Sequence, residues 1–192
     1  IVAIGANDYQ RSWYHGDHGV FLYKVEGEKV RQTQLISPPG ENYVGLDHFG
    51  NSMAIENNLL FVGSHWGQTV SIFSINTDGN AQFLENIRTP NPTEEGFFGT
   101  SIAVHDDMVV IGAPGEYSES SIRDGVAYVY RVLPDGRSTL LDRLHHPESQ
   151  QLSGFGAAVS ITSAGVLVGA PGFDLSETKP NVGSAVLFRF NK

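Results

Sequence analysis

Apolar positions along this chain come in short runs, and nowhere do they take the three-and-four spacing that would lay one stripe along a helix. Three runs open alike: Phe49-Gly50-Asn51-Ser52-Met53-Ala54-Ile55, Phe98-Gly99-Thr100-Ser101-Ile102-Ala103-Val104 and Phe155-Gly156-Ala157-Ala158-Val159-Ser160-Ile161, at intervals of 49 and 57 residues. After a short polar link, each is followed by a continuous apolar run that closes on glycine: Leu59 to Gly63, Met108 to Gly112, and Val166 to Gly169. Ile1-Val2-Ala3-Ile4-Gly5 is a further copy of this second run, so the chain is expected to open inside a repeat. A third run alternates with period two and carries aromatics, from Val20 to Val25, Val70 to Ile75, Val126 to Val132 and Ser184 to Phe190. A fourth, more polar run closes the unit at Val30 to Ile36, Ala81 to Arg88 and Ser138 to Leu144.

Short runs rich in β-branched and aromatic residues, bounded by Gly, Asn, Asp and Pro, read as strands. The runs are labelled A, B, C and D in order. Links from C to D carry Glu26-Gly27-Glu28, Thr77-Asp78-Gly79-Asn80 and Pro134-Asp135-Gly136-Arg137, and Asp-Gly between alternating runs signals a hairpin. The A to B links, such as Glu56-Asn57-Asn58, are as tight. Each unit is thus a four-stranded antiparallel meander of about 50 residues, the sequence form of a propeller blade. The expected fold is all-β, a β-propeller or an arc of one. Its limits are a partial first blade at 1–45, blades at 49–95 and 98–152, and a partial fourth at 155–192. Run B should be buried on both faces and run D should be the solvated edge. The glycine closing run B should lie where a side chain would strike the next blade.

Composition narrows the chemistry. The formal charge of −9, with 12 Lys and Arg against 21 Asp and Glu, repels phosphate backbones, so no nucleic-acid partner is expected. No segment reaches the roughly 18 apolar residues of a membrane span. With no cysteine, disulfides, thiolate metal sites and a cysteine nucleophile are excluded.

The Phe-Gly opening, the Ile-Gly-Ala-Pro and Val-Gly-Ala-Pro closures at residues 111–114 and 168–171, and Gly125-Val126-Ala127-Tyr128-Val129-Tyr130 resemble the FG-GAP repeat. That repeat builds the propeller of integrin α subunits and occurs in many bacterial extracellular proteins. The resemblance implies a location outside the cell, at the cell surface or in the periplasm, and a binding or adhesion role. It also implies an Asp-rich calcium loop between runs A and B, from which this chain departs. His105-Asp106-Asp107 is too short to converge six to eight oxygens, and Thr162-Ser163-Ala164 has no carboxylate. Calcium is therefore disfavoured, no metal or other cofactor is expected, and the links are similar to the calcium-free bacterial subclass.

Acids in the B to C loops, among them Glu116, Glu119 and Asp124, follow no calcium-loop order and read as solvated. His15, Asp17 and His18 share one such loop, where chance placement outweighs a metal cluster. No Gly-x-Ser-x-Gly motif or other catalytic signature is present, so no catalytic residue is expected and the chain reads as a non-enzyme.

The better candidate is a face. In a meander the B to C and D to A connections emerge on one side, and here they are the long ones. Long loops on a rigid scaffold are where binding resides. They carry aromatics suited to protein or glycan contacts: Trp13 and Tyr14, His65 and Trp66, Tyr117, and Phe173. A protein or carbohydrate ligand is expected there, with a lectin-type propeller or a purely structural scaffold as alternatives. Phe49, Phe98 and Phe155 are assigned to packing between blades. With run A absent from the first unit and run D from the last, further blades are expected from flanking sequence or a second chain.

Overall fold

The computed structural model describes residues 1–6, 19–39, 48–93, 95–118, 121–176 and 178–190. Among them the chain forms fourteen strands and no helix. The first sheet holds β1 (Val2–Ala6), β2 (Gly19–Glu26) and β3 (Lys29–Ile36). The second holds β4 (Ser52–Glu56), β5 (Leu59–Ser64), β6 (Thr69–Ile75) and β7 (Ala81–Arg88). The third holds β8 (Ser101–His105), β9 (Met108–Ala113), β10 (Val126–Val132) and β11 (Ser138–Leu144). The fourth holds β12 (Ala158–Thr162), β13 (Gly165–Ala170) and β14 (Ser184–Arg189). Every pairing joins consecutive strands antiparallel, so each sheet is a meander.

The turns follow from their residues. Between β4 and β5 only Asn57 and Asn58 intervene, with φ of 48° and 63°, the left-handed pair that matches strand twist in a two-residue hairpin and that Asn tolerates. β5 is buried throughout its length and β9 over all but its first residue, whereas β7 and β11 each bury a single residue, Ile87 and Leu144. Run B is thus the doubly covered strand in the second and third sheets, with run D the wet edge. The outermost copies depart from expectation: Val2 and Ile4 of β1 and Leu167 of β13 are exposed, because no further sheet covers that face among the described residues.

Sheets meet along their first strands: β1 lies against β4, β4 against β8, and β8 against β12. The four sheets therefore follow one another round an arc of a propeller, with run A innermost in the second, third and fourth sheets, and the arc is not closed. Three apolar clusters fill the three junctions. Each contains one Phe of a Phe-Gly opening, with Phe49 2%, Phe98 0% and Phe155 0% exposed. Burying one such ring is worth about 1.5–3 kcal/mol.

The run-B glycines are where neighbouring sheets touch backbone to backbone. A Cβ on Gly5 would lie 2.2 Å from the Gly50 oxygen, and one on Gly63 would lie 2.4 Å from the Gly99 oxygen. A serine of run A closes the same contact: Ser52 Oγ donates to the Gly99 oxygen at 2.6 Å and Ser101 Oγ to the Gly156 oxygen at 2.8 Å. At the outer edge, the pairing of C with D skips one residue in each of the first three sheets, at Thr33, Leu84 and Leu141. Thr33 Oγ1 donates to the Gly79 oxygen at 2.6 Å, and a Cβ on Gly136 would meet that of Leu84 at 2.7 Å. The bulge thus turns a D-strand side chain onto the next sheet's C to D turn.

Candidate functional site

Two of the long connections are tied to each other, whereas the B to C link after β5 is only the four-residue turn His65 to Gln68. The loop after β7 lies on the loop after β9: Gly115 N donates to the Gly96 oxygen at 3.1 Å. Arg123 binds both, donating from Nε to the Gly115 oxygen at 2.9 Å and from Nη2 to the Glu95 oxygen at 3.1 Å. Its Nη1 also sits 2.8 Å from the Glu95 carboxylate. An exposed ion pair alone contributes about 0–1 kcal/mol, so the backbone bonds do most of the joining.

Beside this seam stands an aromatic group. Trp66, in the turn after β5, is 54% exposed. It meets Phe97 edge-on at 5.4 Å and His48 at 5.9 Å. His65 lies 4.8 Å from His48 and 6.0 Å from Phe97. His48 and Phe97, with φ of 52° and 56°, are held by left-handed backbone at the two turns that precede Phe49 and Phe98. Partial burial, and then the neighbouring His48, hold the His65 imidazole below its usual pKa. Its Nδ1 is buried with no hydrogen-bond partner among the described residues.

Of the residues expected on this face, Trp66 and Tyr117 are exposed and His65 is half-buried. Trp13 and Tyr14 lie outside the described residues. Phe173 departs from expectation: it is buried, and its ring stacks on His146 at 4.5 Å in the junction between the third and fourth sheets. An apolar ring with a cover of that kind packs rather than presents itself.

The acids of the loop after β9 depart further. Glu116 is not solvated but 1% exposed, in the junction between the second and third sheets. Its carboxylate accepts from the Tyr128 hydroxyl, from Arg143 Nη2 at 2.8 Å and from Asn91 Nδ2 at 3.4 Å. Burial and the adjacent carboxylate push the Tyr128 phenol far above its usual pKa, and Tyr130 up to about 12. Arg143 Nη2 also donates to the Tyr117 oxygen at 2.7 Å, so the buried pair carries the backbone of the exposed Tyr117. Asp124 is 0% exposed, and neither carboxylate oxygen has a hydrogen-bond partner among the described residues. The sequence missed these because a loop acid looks solvated until a Tyr and an Arg on the next two strands are seen to face it.

Among the described residues no group of three or more His, Asp or Glu side chains is placed to hold a metal. Among the described residues no helix is long and apolar enough to cross a membrane.

Residues 90–130 match the FG-GAP repeat family. No curated protein matches the sequence. Among solved structures, a crystal structure of a protein from Lactobacillus plantarum is similar, at 12% identity and a TM-score of 0.58 over 97% of this chain and 52% of that one. The likeness is one of fold, and the chain spans about half the length of that structure. The chain therefore carries an FG-GAP repeat on a propeller arc.

Proposed function

We propose that this FG-GAP propeller arc is a non-catalytic binding or adhesion module, acting outside the cell or at its surface through the face of B to C and D to A loops. The observation that carries the reading is Trp66: a large ring 54% exposed, yet held at its edge by Phe97 and His48. Such a ring gives contact area at low entropic cost. His65 backs it, and Tyr117, Trp13 and Tyr14 are proposed as further members of the binding set, as aromatics of B to C loops. Units 1–45, 49–95, 98–152 and 155–192 serve as blades, completed by flanking sequence or a second chain.

The same ring supports a lectin-type reading, since an exposed indole is a stacking platform for a sugar. The test is binding of the chain to a glycan array and to a panel of extracellular-matrix proteins, with Trp66→Ala alongside. Binding on one panel that falls about tenfold or more in the variant supports the module and names its ligand class. No binding on either panel, or binding that Trp66→Ala leaves unchanged, overturns it.

A further inference from the structure

The three junctions share one slot, and each fills it differently. Four residues after the run-B glycine, a side chain points into the gap between sheets: Glu116 at the second junction and Phe173 at the third. The second slot is closed by Glu116 with Tyr128 and Arg143, which face each other across β10 and β11. The third is closed by Phe173 stacked on His146. At the first junction the corresponding residues are Gly67 for Glu116, Ser71 for Tyr128 and Asn86 for Arg143, the last two again directly paired. The ring and the carboxylate are both missing, and in their place is a cavity of about 110 Å³.

Its walls are specific. Pro38, Pro39 and Phe49 supply its apolar lining, and Ser64, Thr69, Ser71, Asn86 and Arg88 its polar lining. Ser71, 2% exposed, donates its hydroxyl to Asn86 Oδ1 at 2.7 Å, which leaves the Asn86 Nδ2 hydrogens facing accessible space without a partner among the described residues. Ser64, 6% exposed, adds a hydroxyl. Arg88 stands at the mouth with no ion pair among the described residues. Amide, hydroxyl and guanidinium donors lining one cavity together with prolines and a phenylalanine suit an anion on a short apolar stem. The volume is that of about three or four waters, enough for such a group and too little for a sugar ring with its hydroxyls.

We propose that this cavity is a binding site for a carboxylate on a short aliphatic stem, either a free small acid or the acidic side chain of a peptide, taking from outside the group that Glu116 supplies internally one junction further on. The site goes beyond the Trp66 face and does not depend on it.

The test is a backbone-amide NMR titration of the whole chain with sodium propionate and, separately, with a blocked Gly-Glu-Gly peptide, each against sodium chloride at matched ionic strength. The expected result is saturable shifts at Ser64, Thr69, Ser71 and Asn86 beyond the chloride control. Arg88→Gln should weaken them about fivefold or more, and Ser71→Tyr, which restores the neighbouring junction's ring, should abolish them. Propionate binding without peptide binding points to a free acid, and the reverse to a protein partner's side chain; either supports the site. Shifts equal to the chloride control mean a water-filled void and overturn it, as does unchanged affinity in Arg88→Gln, which decides the matter should Ser71→Tyr fail to fold.

Discussion

Gly112 and Gly156 approach so closely that a Cβ on Gly112 would lie 1.9 Å from the Gly156 carbonyl oxygen. The obstacle is backbone of the next sheet, which cannot swing aside. Gly169 holds the same place in the fourth sheet, and there a Cβ would meet nothing nearer than the Ala158 Cβ at 3.6 Å. Gly112→Ala should therefore cost about 3 kcal/mol, at the upper end of overpacking penalties. That corresponds to a fall in Tm of about 6–12 °C for a chain of this length. Gly169→Ala should change stability by less than about 1 kcal/mol, or raise it slightly by stiffening the unfolded chain. Thermal denaturation of the two variants side by side is the check, and equal losses would contradict the arc.

The serine clasp allows a finer measurement. Ser52→Ala and Ser101→Ala each remove one bond between sheets, and each should cost about 1 kcal/mol in urea denaturation. Position 158, where the third copy already has Ala, should show no comparable gain on Ala158→Ser, since no facing carbonyl is present among the described residues.

Arg143 and Glu116 should behave as a unit. Removing the guanidinium leaves the carboxylate buried beside Tyr128, and Arg143→Ala should destabilise the fold by about 3–5 kcal/mol. Glu116→Gln keeps the shape and removes the charge, and should cost less. The Tyr117 backbone loses its Arg143 donor in the first variant only. Exchange of nearby amides with solvent should rise there and not in Glu116→Gln.

Trp66 offers a pH readout through His65. The folded state holds the His65 pKa below its ordinary value near 6.5, so on acidification the unfolded chain takes up the proton first. Stability from this group is therefore full above about pH 6.5, declines as the pH falls below that value, and levels off once the folded imidazole is also charged. In a Trp13→Phe background, Trp66 fluorescence should change with a midpoint below pH 6.5. His65→Gln should remove that step and flatten the acid side of the stability profile.

The repeat was legible because it rests on local rules. Phe-Gly openings, period-two runs and Asp-Gly turns act within a few residues, so fourteen strands, their meander order and the glycines at the sheet contacts could be read without coordinates. Trp66 and Tyr117 were legible as loop aromatics for the same reason. Phe173 was misread, because loop membership does not say whether another ring will cover it; His146, 27 residues earlier in the chain, does so.

What the amino-acid order settled alone was the unit and its repetition, since strand period and turn chemistry are properties of neighbours along the chain. What only the tertiary structure decided was the fate of side chains between units. Glu116 meets a tyrosine and an arginine, Phe173 meets a histidine, and Gly67 brings no side chain to the cavity it lines with Ser71 and Asn86. Those outcomes differ at three otherwise equivalent junctions because each is set by residues contributed by two sheets, and pairing across a gap leaves no trace in the periodicity of either one.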